Sequence, residues 1–247
     1  MEFDGTTAIV TGGAKGIGRA IAVELAKTGF DVAILDVDAI DAEETCTIVR
    51  RENRRAFFVR CNVAKLDDVR TGTQKIEAAL GVPQVLINSA GIVGRKPALD
   101  VEYEEWSRVI DVNLTGTFLT SQQFAKRLVD NKLPGAIVNI TSIFGMVGGE
   151  NRAAYSASKA GIVNLTRVLA IEWDRYQIRV NAVAPTFVRT PLTEALLQNG
   201  LDVVNRSLGE RLAFPEQVAS AVVFLLSRSS NMITGHTLPV DGGWLSW

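Results

Sequence analysis

The 247-residue chain reads as an α/β protein: one doubly wound domain, residues 1–247, in which a parallel sheet carries helices on both faces. Two observations predict this. Short runs rich in β-branched residues alternate with longer stretches whose apolar residues recur at helical spacing. No repeat, low-complexity tract or Pro/Ser-rich linker interrupts that alternation. Strands apolar on both faces must be covered on both faces, and repeated β-α units supply the cover.

In chain order, Thr7–Thr11 is the first expected strand, and Ile17–Thr28 the first helix, with Ile17, Ile21 and Leu25 on one face. A strand at Asp31–Leu35, a helix at Ala39–Glu52 and a strand at Ala56–Arg60 follow. Leu66–Leu80 reads as helix and Val85–Ile87 as a short buried strand. Glu102–Asn131 reads as one long helix, stopped by Pro134 and Gly135. Ala136–Ile140 is the next strand, Ala153–Arg175 a second long helix and Ile178–Val183 another strand. Pro215–Leu226 is a helix with Pro in its first turn, and Thr237–Val240 the last strand.

Composition excludes several classes of function. Lys plus Arg is 26 against 27 for Asp plus Glu, which is no nucleic-acid footprint. Cys46 and Cys61 are too few for a zinc cluster or a disulfide framework, and a lone His236 removes multi-histidine metal sites and most hydrolase triads. No metal is expected. The N-terminal MEFDGTTAIV has no basic segment leading into an apolar run, and Val218–Leu226 is far short of the ~20 residues that span a bilayer. A cytoplasmic protein with no membrane or nucleic-acid partner is expected.

The chemistry-bearing residues fall at strand ends and helix starts, where open parallel sheets bind ligands. Thr11–Gly18, TGGAKGIG, lies between the first strand and first helix. Gly12, Gly16 and Gly18 permit a sharp turn that brings backbone N–H groups to a pyrophosphate, with Lys15 and Ile17 in the same turn. Three residues separate Gly12 from Gly16, a spacing that differs from G-x-G-x-x-G. Asp36 lies eighteen positions after Gly18, near the offset at which a carboxylate binds adenosine ribose hydroxyls. A carboxylate there repels a 2′-phosphate and favours NAD over NADP, whereas Lys15 pulls weakly the other way.

Tyr155 and Lys159 stand four apart on one helix face, and Ser142 closes the preceding strand. A free phenol titrates near pH 10, too high for a base at neutrality. A cation about 4 Å away contributes roughly 4 kcal/mol at an effective dielectric of 20, enough to lower that pKa by up to about three units. Tyr155 is then expected to serve as acid or base, with Ser142 on the substrate oxygen.

With these motifs in place, the sequence resembles the short-chain dehydrogenase/reductase family over essentially its whole length. The resemblance rests on TGGAKGIG, NSAG at Asn88–Gly91, Asn113, Ser142, YSASK at Tyr155–Lys159, VNAVAP ending at Pro185, and VDGGW at Val240–Trp244. It implies a seven-stranded Rossmann sheet and an oxidoreductase acting on CH–OH groups. It implies that Asn113 holds a water chain to Lys159, and that Lys159 also binds nicotinamide-ribose hydroxyls. Asn62, Val63, Asn88, Ala90 and Gly91 would border the adenosine side, and Pro185, Val188 and Thr190 the carboxamide. A homotetramer packed through the two long helices is also implied. The sequence departs from the family at Asn62 (commonly Asp), Ser89 (commonly Asn) and Thr186 (commonly Gly).

Arg95, Glu150 and Arg152 are expected to contact substrate beside Ser142 and Tyr155, with a substrate lid over roughly 186–209, centred on Thr193–Gly209. Trp244 and Trp247 are expected to pack or to lie at a subunit interface. The substrate reading is a small polar hydroxy compound (a sugar, sugar acid or polyol) handled with NAD. The alternatives are a 3-oxoacyl thioester reductase or a catalytically silent dinucleotide-binding protein.

Overall fold

The structure, a computed structural model, describes residues 6–190, 193 and 212–246. Its strands are β1 (Thr7–Thr11), β2 (Asp31–Asp36), β3 (Ala56–Arg60), β4 (Val85–Asn88), β5 (Gly135–Ile140), β6 (Ile178–Pro185) and β7 (Thr237–Val240). They form one seven-stranded sheet in the order β3-β2-β1-β4-β5-β6-β7, every pair parallel. The order reverses between β1 and β4. Thr11 is level with both Leu35 and Asn88, so the carboxyl ends of the three central strands open on one crevice.

The helices are α1 (Gly16–Lys27), α2 (Ala39–Arg51), α3 (Leu66–Leu80), α4 (Tyr103–Ile110), α5 (Gly116–Asn131), α6 (Ala153–Trp173) and α7 (Pro215–Leu226). Alternate residues of each strand point to opposite faces. Ala8 and Val10 of β1 join a core built with Ile21 and Leu25 of α1, Cys46 of α2, and Val218 and Val222 of α7. Ile9 joins the other core, with Ile76 of α3, Phe124 and Leu128 of α5, and Leu169 of α6. Local signals start and stop these helices. Asp38 caps α2 by accepting from Asp41 N at 3.3 Å, and α7 opens on Pro215 with Gln217 accepting from Phe214 N at 2.9 Å.

The stretch Glu102–Asn131 is not one helix. It is α4, a π-helical segment at Asp111–Thr115, and α5. The cause is a tertiary hold on Asn113, whose buried carboxamide accepts from Ile92 N at 2.8 Å and donates to Ile92 O and Ser158 Oγ, each at 3.0 Å. Apolar periodicity does not register a widened turn of this kind. β4 and β6 also outrun their apolar runs, ending at Asn88 and Pro185. Of the expected lid only residues 186–190 and 193 are described; the remainder of Thr193–Gly209 lies outside the described residues, as does Trp247.

Asn88 can end a buried strand because all of its side-chain polarity is met. Its Nδ2 donates to Ser121 Oγ and Asn139 Oδ1, each at 2.9 Å, and its Oδ1 accepts from Thr120 at 2.6 Å. Asn139 in turn donates to Thr166 at 3.0 Å, so one polar chain ties β4, β5, α5 and α6. Removing a member leaves buried partners unsatisfied, at about 1–3 kcal/mol. Asn88→Ala is therefore expected to lower unfolding free energy by that amount in urea titrations while leaving NADH affinity nearly unchanged, since the carboxamide faces helices rather than the crevice.

Candidate active site

The turn after β1 is shaped by backbone that side chains would obstruct. Gly12 and Gly16 have φ of +66° and +58°. A Cβ on Gly12 would lie 2.7 Å from Ala90 Cα, and one on Gly18 would run into the Gly12 carbonyl. Thr11 Oγ1 accepts from Ser89 N and Ala90 N, each at 3.1 Å, which joins this turn to the loop after β4. Lys15, at the N-cap of α1, provides no side-chain cap, so the first N–H groups of the helix, around Ile17 and Gly18, face the crevice uncapped. This cradle fits a pyrophosphate. Thr190 closes over it, its methyl 3.6 Å from where a Gly16 Cβ would stand.

Asp36, at the end of β2, accepts from Ala14 N and Asp38 N, each at 3.0 Å, and is thereby locked against the glycine turn. Lys15 is gripped by Asp38 at 3.0 Å and Asp41 at 2.8 Å, which raise its pKa, and Arg19 by Glu44 at 2.9 Å. Asn62 accepts from Ala64 N at 3.1 Å, and buried Val63 packs on Gly116. Ala90 and Gly91 line the turn side of the loop, whereas the Asn88 side chain points away, into the core.

Ser142, Tyr155 and Lys159 converge where β5 meets α6. The loop after β5 is pinned to the helix: Thr141 Oγ1 donates to Lys159 O at 2.8 Å, and a Cβ on Gly145 would lie 2.7 Å from that same carbonyl. Lys159 Nζ donates to Ile140 O at 2.9 Å and sits 5.6 Å from the centre of the Tyr155 ring. Ser142 accepts from Phe144 N at 3.2 Å, and its hydroxyl acts to lower the pKa of the Tyr155 phenol. Gly91 approaches both Asn113 Oδ1 and Lys159 Nζ, so Asn113 lies beside the lysine. Its carboxamide bonds go to Ile92 and Ser158.

The electrostatics differ from the expectation that Lys159 pulls the phenol toward neutrality. Burial pushes Tyr155 above its ordinary value of 10, against the smaller opposing effects of the Ser142 hydrogen bond and the Arg152 charge. Burial also lowers Lys159 to about 8. The low-dielectric environment disfavours phenolate and ammonium alike, and at this distance the lysine does not offset it.

A cavity of about 270 Å³ opens over this group, lined among others by Ile17, Arg95, Ser142, Arg152, Tyr155, Val188, Thr190 and Thr193. It extends from Ile17, at the start of α1, to Ser142 and Tyr155. Thr186 and Phe187, at the start of the expected lid, also line it, as does Phe144, to which sequence reasoning gave no site role because nothing in spacing distinguishes a cavity wall from core. Glu150 is exposed and is not part of this lining.

The comparisons with known proteins agree with this geometry. A family model described as Enoyl-(Acyl carrier protein) reductase matches residues 12–245. The chain belongs to the short-chain dehydrogenase/reductase family. It is 38% identical to human (3R)-3-hydroxyacyl-CoA dehydrogenase, over 96% of this chain and 94% of that protein. It is 32% identical to 2-dehydro-3-deoxy-D-gluconate 5-dehydrogenase of Escherichia coli K12, over 100% of this chain and 98% of that one. The structure of a variant actinorhodin polyketide ketoreductase with NADPH superposes with a TM-score of 0.94 at 30% identity, covering 100% of this chain and 99% of that one. The family binds a nicotinamide dinucleotide, and this chain is an oxidoreductase of hydroxyl and keto groups.

Burial of Lys159 has a measurable consequence. The folded lysine titrates near 8 and the unfolded one at 10.5, so between those values the unfolded chain holds more protons and stability rises with pH. Below pH 8 the penalty for burying the charge is present in full. Lys159→Met is expected to gain stability relative to the parent near pH 7, with the gain shrinking from pH 8 to 10.5 in paired urea titrations.

Proposed function

We propose that the protein is an NAD-dependent oxidoreductase that interconverts a secondary alcohol and a ketone, with Tyr155 as general acid/base. Its substrate on this reading is a small polar hydroxy compound such as a sugar, sugar acid or polyol. One observation carries the reaction class: Ser142 and Tyr155 line a cavity that reaches Ile17 at the glycine turn, with Lys159 buried behind the Tyr155 ring. A bound dinucleotide supplies the hydride acceptor or donor and, when oxidised, a positive charge. Ser142 hydrogen-bonds the carbinol or carbonyl oxygen; Tyr155 takes up or returns the hydroxyl proton. Lys159, with a pKa of about 8, can carry a proton at neutral pH behind the phenol while Ile140 O orients it. Ile17, Val188 and Thr190 wall the cavity between cradle and trio, where the nicotinamide end would lie.

The preference for NAD rests on the acidic corner at the end of β2. Asp36 would meet the ribose hydroxyls, and two cations beside the glycine turn, Lys15 and Arg19, are already neutralised by Asp38, Asp41 and Glu44. A dianionic phosphate there would displace ion pairs and face an unpaired carboxylate. The ketoreductase neighbour was solved with NADPH, so the ratio of kcat/KM for NAD to that for NADP is the deciding measurement. A ratio of at least tenfold is expected, falling at least tenfold in Asp36→Ala; preference for NADP in the parent would refute the NAD reading.

The hydroxyacyl-CoA relative favours a second reading, reduction of a 3-oxoacyl thioester. Turnover of thioesters in preference to every small alcohol would establish it. A silent dinucleotide-binding protein has no use for the intact trio. Tyr155→Phe is expected to lose roughly 10²–10⁴ in turnover while NADH affinity, read by fluorescence, stays within twofold. The same reading includes a homotetramer packed through α4, α5 and α6, whose outer faces leave Tyr103, Phe118, Val168 and Ile171 exposed.

A further inference from the structure

Arg152 is a buried cation that the catalytic trio does not use. It immediately precedes α6, three residues before Tyr155, and is only 7% exposed, yet among the described residues it makes no ion pair. Its guanidinium lies 4.7 Å from the centre of the Phe144 ring and 5.6 Å from that of Phe187. Phe144 in turn meets Phe187 and Trp244 edge-on, at 5.8 and 5.9 Å. The walls behind the guanidinium are therefore aromatic, and its unpaired N–H groups are left to the cavity it lines.

This placement is built rather than incidental. A Cβ on Gly149 would sit 2.5 Å from the Phe144 ring and 3.0 Å from Arg152 Cδ, so the glycine makes room for the stack. Asn151 takes a left-handed φ of +58°, and its carbonyl accepts from Lys96 N at 2.9 Å. Arg152 O accepts from Ser156 N at 2.7 Å, which fixes the start of α6. Arg95, exposed, lines the same cavity, whereas no acidic side chain does among the described residues. Neighbouring Lys96 is tied to Glu105 at 3.5 Å and is not available.

A desolvated guanidinium without a carboxylate is costly unless a ligand completes it, and its planar fork matches a carboxylate bidentately. We propose that Arg152 is the anion receptor of this site, and that the substrate is a hydroxy or keto carboxylate whose carboxylate pairs with it while the carbinol rests on Ser142 and Tyr155. The proposal rests on the reading of the site as an alcohol–ketone oxidoreductase and narrows its substrate class. A polyol offers the guanidinium no charge, and neither does the thioester group of an acyl thioester.

Binding to the enzyme–NADH complex tests this without turnover. Short and cyclic carboxylates, their matched carboxamides and inorganic phosphate are titrated by calorimetry. Carboxylates are expected to bind at least tenfold tighter than their amides and tighter than phosphate. Arg152→Gln is expected to weaken carboxylates roughly ten- to hundredfold while leaving amides and NADH unchanged, with Arg152→Lys intermediate. Equal affinity of acid and amide in the parent would overturn the proposal whether or not the variants fold, and tighter phosphate binding would overturn the carboxylate assignment. An acid advantage that persists in a folded Arg152→Gln would remove Arg152 from the role. The separate turnover panel compares hydroxy acids with their amides. Carboxylates that bind through Arg152 while no alcohol is oxidised with either dinucleotide would defeat the oxidoreductase reading alone. Neutral alcohols turned over in preference to acids would defeat the substrate class alone.

Discussion

A cation taken out of water has to be held, and the hold on Lys159 organises this protein. Its ammonium donates to the carbonyl of Ile140, the last residue of β5, and its own carbonyl accepts from Thr141 one residue further on. Two hydrogen bonds at one strand end set the register of α6 against the sheet. Tyr155, one helical turn earlier, is thereby brought over Ser142, which begins the loop leaving β5. Gly145 allows that loop to run against the helix backbone. The catalytic trio is thus a consequence of how one helix is seated, and a shift of α6 along β5 would move all three groups together.

The cofactor side obeys a different constraint, set by charge. Asp36, Asp38, Asp41 and Glu44 surround Lys15 and Arg19 where β2 gives way to α2. Lys15 is exposed and its acidic partners only half-buried, so these pairs contribute little to stability. Their effect is on the local field: they cancel the positive charge that would otherwise accompany a phosphate-binding turn. Arg19 also donates to Ala14 O and Thr45 Oγ1, each at 2.9 Å, which adds a brace between the glycine turn and α2. The substrate side inverts this arrangement, with unpaired arginines and no acid among its described lining.

The sheet was legible in the sequence because each buried strand is a β-branched run and each helix has its own apolar stripe. The glycine turn, Asp36, Ser142, Tyr155 and Lys159 were legible because their spacing from a strand end or along a helix is itself the signal. The break in Glu102–Asn131 was not, since a π segment is imposed by what Asn113 meets at Ile92 and Ser158, residues distant in the chain. For the same reason Asn88 reads as a cofactor-side residue in the NSAG motif, although its carboxamide joins strands and helices in the core. The aromatic cluster of Phe144, Phe187 and Trp244 combines three separate segments, and Phe144 and Phe187 become part of a site only by meeting Arg152.

The protonation of Tyr155 links these parts. In the protein alone, burial favours the neutral phenol and draws Lys159 down to about 8, so the resting site carries less charge than two titratable groups would in water. That state suits reduction, in which the phenol gives up a proton. Oxidation needs the opposite bias: the Ser142 hydroxyl and the Arg152 charge already act to lower the phenol's pKa, and an oxidised pyridinium would add to it. A carboxylate seated on Arg152 would cancel part of that bias as it binds. On that reading, the two cations and the substrate's anion together would shift the pH at which the alcohol proton leaves.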